Sequence, residues 1–290
     1  MAKPRALITG SSGLLGVAIA EELSRNDWDC TGTIHFSKPS GAACFTPKFC
    51  DVSDAQQLRS LGVFDLAVHA AAVQPQRIES YLHAQRVNVD PIATLAEMTN
   101  GNVITFSSTS VSVSENLSGP AGWYAQSKVL LERVLRETEV GVALRLPSVV
   151  GKHANGGIVY ELSKAALSDE DIQLFWMGER LRSLIHVRDI AVFVGRIANN
   201  GAAQRMGATF DIAGMEPVPL VDIARHIVSR CSSRSRIDLV PGGPFDYGDV
   251  IPNLQPAIAL LNFLPRTTLD AVDIYLNELQ GGPHEASVAR

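Results

Sequence analysis

The chain has 290 residues, 46% of them hydrophobic and 19% charged, a composition typical of a globular protein with one large or two modest domains. A net charge of −5 and an isoelectric point near 5.8 argue against a basic surface that binds nucleic acid. The four cysteines form no CxxC pair and have no histidine at ligand spacing, so we predict neither a metal site nor a disulfide framework. Because no apolar signal core or membrane-length run is present, we expect a cytoplasmic protein without a membrane partner.

The first strand, RALI, runs directly into a glycine-rich turn, TGSSGLLG, at Thr9 to Gly16. Glycines at positions 10, 13 and 16 allow backbone amides to approach a pyrophosphate. Leu15, Ile19 and Leu23 follow at helical spacing, so the turn leads into a helix whose N-terminal amides can bind an anion. The spacing is GxxGxxG, not the standard GxGxxG, and an ordinary tight βα turn is the alternative.

Strand-like and helical segments alternate through the first half of the chain. The strand-like segments are RALITG, DCTGTIHF, FDLAVHAAA, GNVITFSS and VGVALRLPS. Together with the glycine turn, this alternation predicts an α/β fold with a doubly wound parallel sheet of the Rossmann type.

The second half of the chain has shorter segments than the first half and more Pro and Gly within them. This change predicts a smaller, interleaved C-terminal domain. We assign residues 1–150 to a dinucleotide-binding domain, with residues 182–213 rejoining its sheet as a helix and a strand. Residues 151–181 and 214–280 are rich in Pro and Gly and form a predicted substrate-binding region. Thr267 and Asp270 form a capping box before LDAVDIYLNEL, and residues 281–290 are predicted to be a flexible tail.

A tyrosine and a lysine in YAQSK form the predicted catalytic pair. Tyr124 and Lys128 lie four residues apart, on one face of a helix. A lysine ammonium beside a tyrosine lowers the pKa of the phenol, which makes the hydroxyl a proton donor or acceptor near neutral pH. The segment FSSTS, upstream at Phe106 to Ser110, ends an apolar strand with hydroxyl groups at the edge where α/β sheets bind ligands. Together these groups predict a site that handles a carbonyl.

With these motifs the chain resembles the extended short-chain dehydrogenase/reductase family, in its NAD(P)-dependent epimerase/dehydratase branch that acts on nucleotide sugars. The resemblance covers nearly the whole chain. Besides TGSSGLLG and YAQSK, it is carried by CDVSD, HAAA, VNVDPIATLAE, LRLPSVVG and GERLRSLIHVRDIA.

The resemblance implies a role for each matching residue. Tyr124 would be the catalytic acid/base, and Lys128 would bind the nicotinamide ribose. Thr109 would orient the substrate carbonyl, with Ser108 as the alternative. The positions that match the family's dinucleotide-binding residues are Gly10, Ser12, Gly13, Leu14, Leu15, Gly16, Asp51, Val52, Ala70, Ala71, Ala72, Asn88, Lys128, Leu146 and Pro147.

Substrate residues are predicted in the second half. Arg182 matches the arginine that contacts the substrate's diphosphate, a task suited to a guanidinium fork; a surface charge is the alternative. His153 and Asn155, in the glycine-rich loop after Gly151, can contact a substrate or belong to a plain polar loop.

The segment after the second strand indicates the cofactor. It reads HFSKPS and has no carboxylate for the adenosine ribose. His35, Ser37 and Lys38 are therefore predicted cofactor residues, and the last two can hold a 2′-phosphate. This favours NADP(H), with NAD(H) possible and a solvated Lys38 as the alternative.

Departures from the family pattern narrow the reaction. Dehydratases of this branch have an Asp–Glu pair after the catalytic Thr, whereas Ser110 and Val111 follow Thr109, which argues against elimination. Arg188 replaces the first aspartate after IHV, and Ser148 replaces the family's Asn. Both changes lie on the substrate side.

We therefore predict an NADPH-dependent reductase of a nucleotide-activated keto-sugar. The alternatives are a nucleotide-sugar 4-epimerase with bound NAD, a reductase of a non-sugar carbonyl, and a non-catalytic dinucleotide sensor or scaffold. The resemblance also implies a homodimer, formed through the helices that carry Asn88 and Tyr124.

Overall fold

A computed structural model describes residues 2–35, 44–154, 156–201, 207–243, 248–249 and 251–281. Three residues with predicted roles, Ser37, Lys38 and Asn155, lie outside these ranges, as does the predicted tail after Gly281. The chain divides into two units: Met1–Arg145 with Ile190–Asp211, and Leu146–Asp189 with Ile212–Arg290. Within the described ranges no helix is both long enough and apolar enough to span a bilayer.

The described strands, in chain order, are β1 (Arg5–Thr9), β2 (Asp29–Ile34), β3 (Thr46–Phe49), β4 (Leu66–His69), β5 (Val103–Ser108), β6 (Val142–Leu146), β7 (Ser148–Val150), β8 (Ile172–Phe175), β9 (Leu181–Arg182), β10 (Leu184–His186), β11 (Ala208–Asp211), β12 (Val218–Pro219) and β13 (Ile237–Val240). The described α-helices are α1 (Leu14–Arg25), α2 (Ala55–Ser60), α3 (Tyr81–Asn88), α4 (Pro91–Met98), α5 (Gly119–Thr138), α6 (Ile158–Leu167), α7 (Val187–Asn200), α8 (Leu220–Arg230), α9 (Gln255–Leu261) and α10 (Thr268–Leu279). Shorter 3₁₀ turns cover Pro75–Arg77, Thr109–Asn116 and Trp176–Gly178.

The first unit is built on one sheet with the strand order β11-β6-β5-β4-β1-β2-β3. β1 runs parallel to β2 and β4, β4 to β5, β2 to β3, and β11 to β6. The predicted doubly wound parallel fold is confirmed. Ala6, Leu7 and Ile8 of β1 are fully buried, as expected for a central strand covered on both faces.

The sequence predicts one edge strand of this sheet, β11, but not the other, β3. At one edge, β11 pairs with β6, with Phe210 opposite Leu144. At the other edge, β3 has no apolar pattern: its four residues, TPKF, are all exposed. Pro47 lacks a backbone N–H, which is tolerated at a sheet edge. β3 was not predicted from the sequence for these reasons.

The second unit contains paired short strands packed with helices. β7 is parallel to β10, β8 is parallel to β13, and β9 is antiparallel to β12. Its core includes Ile223 and Ile227 of α8 and Tyr275 of α10. Thr267 caps α10, since its hydroxyl accepts a hydrogen bond from the Asp270 amide at 3.1 Å. The same hydroxyl donates to the Asp270 carboxylate, which confirms the predicted cap.

Candidate active site

The glycine turn between β1 and α1 is tightly packed. Gly10 has φ +66°, and a Cβ at this position would lie 2.7 Å from the Ala71 backbone. A Cβ at Gly16 would lie 2.6 Å from the Ser11 Cα. Gly13 precedes α1 without any side-chain cap, so the first amides of the helix, from Leu14 onward, have no partner from a capping side chain. Bare amides in a backbone cradle fit a pyrophosphate.

A methyl group in this cradle should be costly. We expect Gly16→Ala to lower the free energy of unfolding by about 1–3 kcal/mol, because the added atom meets backbone that cannot rotate away. We also expect it to abolish binding of the dinucleotide, NADP(H) or NAD(H). Urea unfolding and NADPH fluorescence titration measure both effects. Gly156→Ala is the control, since a Cβ there has nothing within 4 Å. Wild-type binding by Gly16→Ala would remove the turn from the site.

A buried histidine joins the glycine turn to the turn after β4. His69 is 3% exposed, and its ring nitrogens lie 2.8 Å from Thr9 Oγ1 and 3.1 Å from the Val87 carbonyl. Burial lowers the pKa of His69 to about 3, with a further contribution from Lys128, so the ring is neutral. Thr9 Oγ1 also accepts a hydrogen bond from the Ala71 amide at 3.2 Å. The predicted Ala70 to Ala72 segment is thereby held against the glycine turn.

The residues that are predicted to face the adenosine of the cofactor are described only in part. The Gly10 amide donates to Thr33 Oγ1 at 3.2 Å, which joins the glycine turn to β2. His35 follows β2, and its ring meets Phe49 edge-on at 5.6 Å between centroids. The Asp51 carboxylate accepts from the amide and hydroxyl of Ser53 at 2.9 and 2.8 Å. Asp51 therefore shapes the local turn that carries the partly buried Val52.

The predicted lysine is buried on α5. Lys128 is 3% exposed, and its Nζ donates to the Phe106 carbonyl on β5 at 2.8 Å. The same ammonium lies 5.5 Å from the centroid of the Tyr124 ring. Burial lowers the pKa of Lys128 to about 8. The lysine is thus fixed to the strand and lies over the ring of Tyr124.

Tyr124 differs electrostatically from the prediction. Burial raises the pKa of its phenol to about 12, while hydrogen bonding to the Gln74 and Ser108 side chains works in the opposite direction. The prediction that Lys128 lowers this pKa was wrong, because loss of solvation dominates and the ammonium is held at the Phe106 carbonyl. Tyr124 is therefore protonated at neutral pH, as a proton donor must be.

Of the two candidate hydroxyl residues, Ser108 is the one that interacts with Tyr124. Its Oγ also accepts a hydrogen bond from the Ser110 amide at 3.1 Å, which fixes the end of β5. Thr109 begins the following 3₁₀ turn and is partly buried. Gln74 was missed by sequence reasoning, because an amide among polar loop residues carries no pattern. Its place just after HAAA was the one available signal.

Asn88 lies behind the site and supports it. It is fully buried, its Oδ1 accepts from the Val73 amide at 2.8 Å, and its Nδ2 donates to Ser127 Oγ at 3.0 Å. Ser127 in turn donates to the Tyr124 carbonyl at 2.7 Å. Asn88 thus links the turn after β4 to α5, while its predicted contact with a dinucleotide stays a prediction.

The predicted substrate residues that are described lie in the second unit. Arg182 NH1 donates to the carbonyls of Leu181 and Gly248 at 2.8 and 2.9 Å. His153 lies exposed in the loop after Gly151. Two predicted cofactor residues also belong to this unit: Leu146 is buried at the end of β6, and Pro147 follows it.

The substituted aspartate position in the second unit forms its own ion pairs. Arg188 pairs with Glu278 at 2.6 Å, and the fully buried His186 lies 3.3 Å from the same carboxylate. Asp189 pairs with Arg266. The family has an aspartate where this chain has Arg188. This arginine is held by its ion pair with Glu278.

The arrangement in the first unit determines its class. A backbone cradle, a buried ammonium and a protonated phenol lie at the carboxyl ends of parallel strands, where such sheets bind dinucleotides. This arrangement is that of the NAD(P)-dependent enzymes of the extended short-chain dehydrogenase/reductase type, the class that the motifs predict. Residues 6–213 match the model of the NAD dependent epimerase/dehydratase family, and the chain belongs to that family, as its motifs predicted.

Two relatives with different names match parts of this chain. Methionine adenosyltransferase 2 subunit beta from Danio rerio is 32% identical over 164 residues, 51% of this chain and 49% of the relative. The chain thus spans about half the length of that relative. The dTDP-4-dehydro-6-deoxy-D-allose reductase of Streptomyces bikiniensis is 26% identical over 113 residues, 39% of this chain and 33% of the relative.

A solved structure shows the same fold. The UDP-N-acetylglucosamine 4-epimerase from Methanobrevibacter ruminantium M1, in complex with UDP-N-acetylmuramic acid, superposes with a TM-score of 0.80. The match covers 97% of this chain and 99% of that chain at 19% sequence identity. At this identity the likeness establishes the fold.

Proposed function

We propose that the protein is an NADPH-dependent reductase of a nucleotide-activated keto-sugar. The observation that carries the proposal is the protonated Tyr124, with Ser108 at its hydroxyl and Lys128 buried one helical turn away. A general acid must hold its proton until charge develops on the substrate oxygen. The related sugar reductase of Streptomyces bikiniensis supports the reaction type.

The residues divide the chemistry among them. Tyr124 donates its proton to the oxygen of the substrate carbonyl, and Thr109 orients that oxygen. Ser108 and Gln74 then stabilise the phenolate that Tyr124 becomes, since hydrogen bonds to it favour the charged form. The bound dinucleotide supplies the hydride. Preorganised donors of this kind contribute most where water is excluded.

The cofactor contacts follow from the cradle. The amides of Leu14 to Gly16 hold the pyrophosphate, since the Gly13 amide donates to the Gly10 carbonyl at 2.9 Å within the turn, and Lys128 holds the nicotinamide ribose. By their place in the sequence after β2, Ser37 and Lys38 are assigned to the 2′-phosphate of NADPH, and His35 is assigned to the same part of the cofactor. NAD(H) is the second choice.

Replacing Lys38 tests the cofactor preference. We expect Lys38→Glu to weaken NADPH binding by about tenfold or more, because a carboxylate repels the 2′-phosphate, and to leave NADH binding unchanged. Fluorescence titration with each reduced cofactor measures the ratio. Lys48→Glu, on the exposed strand β3, is the control. Unchanged NADPH affinity in Lys38→Glu would remove this assignment.

The substrate assignment is a part of the same proposal. Arg182 contacts the diphosphate, with His153 and Asn155 as further contacts. Ser110 and Val111 follow Thr109, so no carboxylate pair stands ready for elimination. An NADPH oxidation assay with a panel of nucleotide-activated keto-sugars tests it. Turnover with simple ketones and none with these sugars would favour a non-sugar reductase.

We also propose a homodimer in the cytoplasm. The helices that the resemblance assigns to the interface, α3 and α5, each present an apolar side chain to solvent. Leu82 is 50% exposed and Val129 is 39% exposed. Analytical ultracentrifugation of wild type and of Val129→Glu tests the interface.

Two other functions compete. A 4-epimerase would retain NAD and return the hydride to the same sugar. The relatives described as a methionine adenosyltransferase subunit favour a second candidate, a dinucleotide-binding subunit of another enzyme. Co-elution with a methionine adenosyltransferase catalytic subunit, in the absence of reductase activity, would select this candidate.

A further inference from the structure

A buried carboxylate lies one helical turn beyond Lys128, and the proposed reaction does not use it. Glu132 of α5 is 7% exposed. The Ser107 hydroxyl donates to its Oε1 at 2.5 Å. Arg145 donates to Oε1 through Nε at 2.7 Å and to Oε2 through NH2 at 2.6 Å. Bonds from two strands, β5 and β6, therefore hold both oxygens.

The network continues to the edge of the sheet. Arg145 NH1 lies 3.6 Å from the Asp211 carboxylate, and Asp211 is opposite Arg145 in the β6–β11 register. Hydrogen bonding to Glu132 is the largest cause that raises the pKa of Arg145. The network thus fastens α5 to three adjacent strands, β5, β6 and β11.

Stability alone is a weak reason for such a network. The attraction within a buried ion pair gains little more free energy than the desolvation of its two charges costs. Apolar side chains of similar volume often stabilise a core to at least the same extent. A bidentate guanidinium–carboxylate pair does, however, fix distance and angle strictly. The network is better suited to set a position than to add stability.

The position it sets is that of the reactive groups. Three consecutive β5 residues meet three α5 residues spaced one turn apart: Phe106 meets Lys128, Ser107 meets Glu132, and Ser108 meets Tyr124. Sliding the helix by one residue would move these groups by about 1.5 Å. Displacements of that size cost much of the benefit of alignment.

We propose that Glu132 is a positioning residue which, through Ser107 and Arg145, fixes α5 on β5 and so sets where the Lys128 ammonium and the Tyr124 hydroxyl lie. The inference rests on the proposed function, since the contact of Lys128 with the nicotinamide ribose belongs to that function. Glu132 itself touches neither substrate nor cofactor in this account.

The test compares a whole dinucleotide with its adenosine half. Ser107→Ala removes one hydroxyl from Glu132, and Glu132→Gln removes the charge but keeps the shape. We expect each variant to weaken NADPH binding by about fivefold or more, the equivalent of one lost hydrogen bond. Binding of 2′,5′-ADP, which has no nicotinamide ribose, should change by less than about twofold. If the wild type prefers NADH, the pair is NADH and ADP.

The control is Glu137→Gln on the same helix, where the carboxylate is exposed and lies 4.0 Å from Arg133. It should leave both affinities unchanged. Equal weakening of both ligands, wild-type NADPH binding by the folded variants, or failure of both variants to fold would overturn the positioning role. If only Glu132→Gln fails to fold, Ser107→Ala decides. A wild-type protein that binds neither NADPH nor NADH would instead overturn the proposed function itself.

Discussion

Tyr124→Phe should lower kcat by about 10²–10⁴-fold, the range for loss of a general acid, while NADPH binds as in the wild type. The reason is local: the phenol carries the transferable proton, and its pKa of about 12 keeps that proton in place at neutral pH. The aromatic ring is kept in phenylalanine, so its packing against the cluster of Val73, Ile78 and Ala84 is retained. Steady-state reduction of a nucleotide-activated keto-sugar, followed by NADPH absorbance, measures the loss.

Tyr81→Phe is the matched control for this substitution. Tyr81 begins α3 in the same unit, and we expect the variant to turn over at the wild-type rate. A Tyr124→Phe protein that binds NADPH and retains near-normal kcat would refute the assigned proton donor.

Lys128→Met should make the protein more stable at pH 7 and less able to bind NADPH. Burial lowers the pKa of Lys128 from 10.5 to about 8, so holding the ammonium charged in the folded state costs about 3 kcal/mol at neutral pH. Methionine fills the same space without this cost. The substitution also removes the hydrogen bond from Lys128 to the Phe106 carbonyl. This loss offsets about 1 kcal/mol of the gain in the free energy of unfolding.

The pH dependence of this stability difference shows whether the buried charge of Lys128 causes it. Between pH 8 and 10.5 the unfolded chain holds a proton on Lys128 that the folded chain has lost, so wild-type stability rises with pH across this window. The advantage of Lys128→Met should therefore shrink by about 3 kcal/mol from below pH 8 to above pH 10. Urea unfolding at pH 7 and pH 10 measures it, with Lys164→Met, at an exposed position of α6, as the control. A constant difference across the two pH values would contradict the burial of the charge.

Local spacing was enough to predict the fold class and to place Tyr124 and Lys128 on one helix. The residues of the glycine turn, and those of the YAQSK motif, lie only a few positions apart in the sequence. Their relative geometry therefore depends on local backbone conformation and can be predicted from spacing. The edge strand β3 was not predicted, because Pro47 and uniform exposure leave no alternating pattern.

Features that depend on tertiary packing were not predicted. Gln74 reaches Tyr124 from another part of the chain, and Glu132 meets Ser107 and Arg145 from two strands. The sign of the Tyr124 pKa shift depends on how deeply the folded chain encloses the phenol. A tyrosine and lysine at helical spacing carry no information about that enclosure.

The most direct test of the central claim is the identity of the nucleotide released when freshly purified protein is denatured. A reductase exchanges its cofactor at each turnover, so we predict an empty site or a partial load of NADP. Stoichiometric NAD would contradict this account, because a dinucleotide retained through purification is recycled in place, as an epimerase requires.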